Sequence, residues 1–234
     1  MKFETTLIEG RLVKRYKRFF ADVELASGAI VTAHCPNTGA MAGIKDPGLR
    51  VWIEPASNPK RKLRYTWEIV EAGGVLIGAH PARANALAEE AINAGIITEL
   101  AGYSSLRREV KYGENSRIDL LLEKDGAPPC WVEVKNVHWQ RQPGLAEFPD
   151  GVTSRGAKHL NELAAQAAKG DRAVQLFVVQ RDDCQTLRPA ADLDPVYAET
   201  IKQARAAGVE VLAYACSVSP EEISISHRME FATL

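Results

Sequence analysis

An aspartate, a glutamate and a lysine stand at Asp119, Glu133 and Lys135, within the run RIDLLLEKDGAPPCWVEVKN that spans 117–136. Asp119 lies in one apolar stretch, the other two lie in a second, and the turn KDGAPP separates them. Charge inside an apolar strand is costly unless it is partnered, so these residue types need a reason. Strand side chains alternate, which puts Glu133 and Lys135 on one face and Val132 and Val134 on the other. Asp119 is flanked by Ile118 and Leu120, both expected to face away from it. Antiparallel pairing through the 124–129 turn then brings Asp119 towards Glu133. Two adjacent carboxylates repel and call for counter-charge. A lysine supplies some, and a divalent cation supplies more. Hard oxygen ligands suit Mg²⁺ or Mn²⁺, each of which takes one or two carboxylates plus waters and phosphate oxygens. A cation so held polarises a phosphoryl group and lowers the pKa of a bound water. Lys135 could then orient that water or stabilise developing charge. The alternative is a cross-strand ion pair on a wet sheet face, worth roughly 0.2–1 kcal/mol.

The spacing Asp-x(13)-Glu-x-Lys across two strands resembles the core of the PD-(D/E)XK nuclease superfamily. In folds of that type an acid on the first helix joins the metal site. ARANALAEEAINAG reads as that helix, about 83–94, with Leu87, Ala91 and Ala94 at helical spacing and Gly95 as its stop. Glu90 falls at i+3 from Leu87 and i−4 from Ala94, on or beside the apolar stripe, and is the expected third metal ligand beside Asp119 and Glu133. The competing reading leaves Glu90 at the edge of the stripe with its head in water.

These residues need elements to position them. The first 80 residues carry strand and turn signals: Phe20–Leu25 alternates, Ile30–Ala33 follows a Ser27–Gly28 turn, and VWIEP and LRYTWEIVEAG add more. About five short strands in that length suggest a small OB-like β-barrel. Beyond residue 80 the pattern is α-β-β-β-α-β-α-β, a mixed sheet flanked by helices and an α/β class of fold. Thr153 and Asp194 are the expected N-caps of the later helices, with Pro195 at a first helical position and Gly208 as a stop. AVQLFVVQ reads as a covered central strand, and VEVLAYAC as the last one. The expected domains are therefore 1–80 and 81–234.

Lysine and arginine outnumber acids by 12 to 8 over residues 1–80, while residues 81–234 carry 17 against 22. A basic first part beside an acidic remainder suggests two units with different tasks. Arg11, Lys14, Arg15, Lys17 and Arg18 interleave with Tyr16, Phe19 and Phe20, and Lys60, Arg61 and Lys62 form a basic loop. Such mixtures build nucleic-acid grooves, although Phe19 and Phe20 also fit a core. Cys35, Cys130, Cys184 and Cys216 are scattered without a C-x-x-C pair, so they read as small buried hydrophobes. There is no apolar run near the roughly 20 residues of a membrane span. The start MKFETTLIEG has acids where a secretory signal is apolar, so a cytoplasmic protein without membrane attachment is expected.

Several blocks in order, GRLVKRYKRFFADVEL, AHCPNTGAM, SNPKRKLRYTWE, NALAEEAI, SRIDLLL, WVEVKNV and FPDGVTSRGAKHLNEL, make the chain resemble the sugar fermentation stimulation protein A family. Ala40 departs from it, since a basic residue more usually follows NTG. The resemblance implies an N-terminal OB-like domain followed by a PD-(D/E)XK nuclease-like domain. It further implies DNA binding with little sequence preference and an effect on sugar utilisation, chiefly of maltose. Carried onto this sequence, Asp119, Glu133 and Lys135 match the catalytic motif, and Glu90 matches the helix acid. The expected DNA contacts are Arg11, Arg15, Arg18, Lys60, Arg61, Lys62, Arg117, Arg155, Lys158 and His159. The last three sit at the start of the second helix, whose free N–H groups favour phosphate; the alternative for them is a solvated face. Three functions follow: a Mg²⁺- or Mn²⁺-dependent nuclease acting on DNA, a non-catalytic DNA-binding regulator with a vestigial site, and an enzyme acting on RNA or a nucleotide. All three are compatible with an oligomer.

Overall fold

The computed structural model describes residues 1–113 and 115–232. Six strands come first: β1 (Ile8–Tyr16), β2 (Phe20–Leu25), β3 (Ile30–His34), β4 (Arg50–Pro55), β5 (Tyr65–Ala72) and β6 (Val75–Gly78). They pair in the order β3-β2-β1-β4-β5-β6, and β3 also pairs with β5, so that five strands close on themselves. Closure removes the exposed edges that an open sheet leaves. The alternation expected of β2 is present, with Ala21 and Val23 fully buried beside Leu12, Ile53 and Trp67. At Gly10, where β1 crosses β2, a Cβ would lie against the Val23 methyl and 2.7 Å from the Glu24 carbonyl oxygen, so only glycine fits. The sixth strand, β6, follows the Gly73–Gly74 turn and leads out of the barrel.

The rest of the chain runs α1 (Arg83–Asn93), a short 3-10 turn, β7 (Ser105–Tyr112), β8 (Ser116–Glu123), β9 (Cys130–Val137), β10 (Gln140–Gln142), β11 (Gly144–Phe148), α2 (Ser154–Ala167), β12 (Arg172–Val179), β13 (Cys184–Pro189), α3 (Pro195–Ala206), β14 (Glu210–Val218), β15 (Ile223–Arg228) and β16 (Glu230–Phe231). The main sheet has the order β15-β14-β12-β9-β8-β7. Its centre is parallel, β9-β12-β14, and its flanks are antiparallel. The apolar run of β12 is buried on both faces, as a covered central strand should be. α1 packs on one face through Leu87, Ala88 and Ala91 against Leu120, Val132 and Leu176. α2 and α3 cover the other, with Leu160, Leu163 and Ile201 against Phe177 and Ala213. All four cysteines are free and buried. Among the described residues no helix is long and apolar enough to cross a membrane.

Five short strands have no counterpart in the expected order. β15 and β16 follow the strand expected to be last. β10, β11, β13 and β16 form a separate small sheet. That sheet depends on a buried acid rather than on alternation: Glu147 accepts from Arg141 Nε at 2.6 Å and from Arg188 Nε at 3.0 Å. Hydrophobic periodicity carries no trace of such a pairing.

The helix ends follow their sequence signals. Thr153 accepts the Gly156 N–H at 3.1 Å and caps α2. Asp194 caps α3 by accepting the Tyr197 N–H at 2.9 Å, and its second oxygen accepts the Thr153 N–H at 2.8 Å. One buried carboxylate therefore fixes the first turns of two helices. Asp194→Ala is expected to cost about 1–2 kcal/mol of unfolding free energy in urea denaturation, with Asp194→Asn recovering part of it.

Candidate active site

The β8–β9 hairpin pairs Leu122 with Cys130, Leu121 with Trp131 and Leu120 with Val132, and the ladder stops there. Beyond it a side chain takes over. Asp119 Oδ2 accepts the Val134 N–H at 2.8 Å, in the place a backbone carbonyl would hold. Its other oxygen accepts Asn85 Nδ2 of α1, also at 2.8 Å. The expectation that Ile118 and Leu120 both face away from Asp119 fails. Ile118 packs with the α2–α3 layer and Leu120 with the α1 layer, so β8 changes face at the aspartate. On β7 the residue between the flanking pairs is Glu109, with a positive φ of 55°. The break in alternation thus spans both strands.

Glu133 projects from β9 towards α2 and is 1% exposed. Its Oε1 accepts Lys135 Nζ at 2.6 Å and also contacts His159 Nδ1. Arg155 Nε donates to His159 Nε2 at 3.3 Å, which leaves the ring proton on Nδ1, facing Glu133. Gln175 of the neighbouring β12 donates to the Glu133 carbonyl at 2.9 Å. Burial alone pushes the Glu133 carboxyl up, but His159 and Lys135 outweigh it and hold the group below its ordinary value. Asp119 goes the other way, raised first by burial and then by the Glu133 charge. The two carboxylates are thus split, one firmly ionised and the other resisting ionisation.

Among the described residues, Glu133 Oε2 is buried with no hydrogen-bond partner, and so are the hydroxyls of Tyr112 and Tyr197. Both tyrosines are driven further from ionisation by burial and then by the Glu133 charge. An ionised, buried carboxylate oxygen without a donor, next to a second carboxylate, is a donor set that fits a hard divalent cation.

The third expected ligand is not there. Glu90 is 52% exposed and pairs with the Met1 amino group at 2.8 Å. Among the described residues no three of His, Cys, Asp and Glu come together as a group that could hold a metal. The cause lies in the apolar stripe. Its buried members are Ala84, Leu87, Ala88, Ala91 and Ile92, whereas Ala94 is exposed, which shifts the stripe away from Glu90. Asn85 and Glu89, one turn apart, line the flank nearer the sheet, and Glu89 pairs with Arg108 of β7. Asn85, which the sequence reading passed over, is the α1 residue that reaches Asp119. Its signal is a neutral amide in the first turn of a helix whose neighbouring residues there are arginine, alanines and leucine.

The expected DNA contacts divide. His159 is 4% exposed and belongs to the Glu133 cluster, not to a DNA-facing surface, because α2 turns it inward beside Gly156 and Leu160. Arg15 is occupied with structure: Nη2 donates to the carbonyls of Asn37 at 2.8 Å, Gly39 at 3.0 Å and Arg18 at 3.3 Å. Arg11 donates to the Gly48 carbonyl at 3.0 Å from an exposed position. Arg18 sits exposed in the β1–β2 turn, where Lys17 and Arg18 both have positive φ, 47° and 64°. Lys60 and Lys62 are exposed, and Arg61 is half-buried. Arg117 is exposed two residues before Asp119; Arg155 and Lys158 are exposed on the first turns of α2, Lys158 with Glu162 3.7 Å away.

A closed OB barrel followed by a mixed sheet with helices on both faces is an α/β class of two-part protein. The chain matches the family described as "SfsA N-terminal OB domain" over residues 13–79 and the "Sugar fermentation stimulation protein RE domain" over residues 82–222. It belongs to the sugar fermentation stimulation protein family. A "Sugar fermentation stimulation protein homolog" of Maricaulis maris is 74% identical over 229 residues, covering 98% of this chain and 97% of that one. The homolog of Paramagnetospirillum magneticum is 55% identical, covering 96% and 95%. Among solved structures, Pyrococcus furiosus SfsA in complex with Ca²⁺ superposes with a TM-score of 0.88 at 28% identity, covering 99% and 98%.

The split carboxylates make opposite stability predictions. The folded-state pKa of Asp119 is raised above 3.8, so the fold binds its proton more tightly than the unfolded chain does. Stability is then lost as pH rises through that window, and the penalty is complete at neutral pH. Asp119→Asn removes that penalty, so its stability relative to wild type should be more favourable at neutral pH than below 3.8. The Glu133 pKa is lowered from 4.5, so its charge contributes stability above that value and loses it as pH falls. Glu133→Gln should destabilise at neutral pH. Urea titrations at neutral pH and near pH 3 read both signs.

Proposed function

We propose that the chain is a cytoplasmic, DNA-binding phosphodiesterase that depends on a divalent cation, Mg²⁺ or Mn²⁺, and has little sequence preference. The observation that carries this reading is Glu133 Oε2, a buried and ionised oxygen with no donor, beside Asp119. The solved Pyrococcus furiosus relative is a complex with Ca²⁺, a cation of the same oxygen-seeking class, which supports the reading. Asp119 and Glu133 would hold the cation, which supplies Lewis-acid polarisation of a phosphoryl oxygen and a more acidic bound water.

The other residues have roles of placement and charge. Asn85 and the Val134 N–H fix Asp119 from two sides, which leaves its carboxylate no rotamer to search. His159 holds Glu133 Oε1, so the free oxygen keeps one direction. Lys135, mostly buried, carries its ammonium beside the carboxylates, where it can orient the attacking water and stabilise charge growing on the phosphoryl oxygens. The exposed Arg117 and Arg155 beside the site, with Arg11, Arg18, Lys60 and Lys62 on the barrel, would supply phosphate contacts that position a duplex without reading it.

Cleavage of plasmid and oligomeric DNA with Mg²⁺ or Mn²⁺ is expected from the wild-type protein. Asp119→Ala and Lys135→Ala should each lower it by about 10²–10⁴-fold with DNA binding intact. Calorimetry with Mn²⁺ should lose its signal in Glu133→Gln. Equal rates in wild type and both variants, with binding retained, would remove the catalytic reading and favour the non-catalytic regulator. Faster cleavage of RNA than of DNA would reassign the substrate.

A further inference from the structure

The β1–β2 turn carries the one aromatic side chain that the fold leaves out. Among the described residues every other tryptophan, tyrosine and phenylalanine is buried or half-buried, whereas Phe19 is 48% exposed. Its ring joins none of the three apolar clusters of the protein. The adjacent Phe20 behaves differently, with its ring stacked on Tyr16 of β1 at 5.3 Å. Lys17 and Arg18 precede Phe19 in the turn, and both are exposed. Asp22, the acid of the adjoining strand, is engaged by the Tyr16 and Thr32 hydroxyls and lies 3.5 Å from Lys14. Among the described residues neither Lys17 nor Arg18 forms an ion pair.

The backbone of this turn is held against its preference. Lys17 and Arg18 have positive φ, 47° and 64°, where hairpin turns favour asparagine and glycine. The turn's carbonyls are fixed from within the barrel. That of Phe19 accepts the Cys35 N–H at 2.8 Å, and that of Arg18 accepts Arg15 Nη2 at 3.3 Å. Strain kept at an exposed turn points to a use for the side chains it presents. Here those are two cations and a phenyl ring, turned to water on a fixed backbone. The same Arg15 nitrogen reaches the Gly39 carbonyl at 3.0 Å. A Cβ on Gly39 would lie 3.7 Å from Asp150 Oδ1, and Asp150 is three residues before the Thr153 cap of α2. The turn therefore stands on the side of the barrel that meets the start of α2.

We propose that Phe19 is a stacking platform for an unpaired base, with Lys17 and Arg18 taking phosphates of the same strand, so that locally opened DNA is held more tightly than intact duplex. Resting on the reading that the chain binds DNA, this narrows its substrate class. In an intact duplex both faces of a base are covered by its neighbours, and the ring has nothing to stack on. An opened base offers a free face. Stacking of this kind tolerates any base, which accords with little sequence preference.

Two labelled duplexes of equal length and charge test the platform, one fully paired and one with a short internal run of unpaired thymines. Binding to the full chain is followed by fluorescence anisotropy in EDTA, where cation-dependent cleavage plays no part. Wild type should hold the opened duplex more tightly. Phe19→Ala should weaken it by about tenfold and leave the paired duplex unchanged. Phe19→Trp should keep the wild-type preference, while Phe19→Leu, apolar but without a π face, should lose it. Lys17→Ala combined with Arg18→Ala should weaken both duplexes and flatten their salt dependence. Ile30→Ala, which removes another exposed apolar side chain of the barrel, should bind as wild type does. Equal binding of the two duplexes by wild type, equal losses for both in Phe19→Ala, or a Phe19→Leu that keeps the preference overturns the platform. A wild type that binds neither duplex overturns it together with the DNA reading. Equal cleavage by wild type, Asp119→Ala and Lys135→Ala, with the Phe19 effect present, removes the phosphodiesterase alone, so the two readings fail separately.

Discussion

A carboxylate almost wholly removed from water, Glu133, sets the terms for the structure around it. Transferring an ion into a protein interior costs several kcal/mol unless partners are supplied. Here they come from three elements. Lys135 reaches back along β9, His159 is presented by α2, and Gln175 of β12 secures the backbone carbonyl of the same residue. α2 must therefore start where it does for His159 to arrive. Thr153 and Asp194 fix that start, and Asp194 ties it to α3. Asp119 is the strained member of the group. It is held in place by Asn85 and Val134 while burial and the Glu133 charge oppose its ionisation, an arrangement that sacrifices stability for a charge-hungry site.

The barrel is joined to this arrangement by polar bonds. Arg15 gathers the carbonyls of Arg18, Asn37 and Gly39, which holds the β1–β2 turn against the loop that follows β3. That loop donates the Met41 N–H to Asp150 at 3.0 Å, and Asp150 lies just before α2. His138, at the end of β9, approaches Asp150 at 3.4 Å. A line of hydrogen bonds thus runs from the basic turn of the barrel to the helix that carries His159. The positive φ of Lys17 and Arg18, uncommon for such residues, is stabilised by this anchoring.

Much of this was legible from the residues alone because its signals are local. Strand alternation revealed β2, β8 and β9, and cap chemistry at Thr153, Asp194, Pro195 and Gly208 marked both later helices. The Asp119, Glu133 and Lys135 grouping followed from hairpin geometry. What escaped was set by tertiary context. Glu90 was placed by counting Ala94 into the apolar stripe, yet an alanine past the last buried turn carries almost no weight. The change of face at Asp119 depends on the partner strand, where Glu109 adopts a positive φ. His159 looked like one more basic residue on a helix start, and only the position of Glu133 draws it inward. The small sheet rests on Glu147 between two arginines, which no periodicity records. Glu68, His80 and Arg83 are distant from the motif in sequence and meet only because α1 docks on the barrel.

That docking gives α1 a double duty. Arg83 and Asn85 are separated by about 3 Å of helical rise, with Arg83 turned to Glu54 and Glu68 of the barrel and Asn85 to Asp119. A straight helix packed through Leu87, Ala88 and Ala91 onto the sheet has no freedom to vary that separation. Gln180 reinforces it from the far side, donating to the His80 carbonyl at 3.0 Å and to Asn136 at 2.5 Å, one residue beyond Lys135. The barrel contact and the carboxylate pair are therefore tied to one helix.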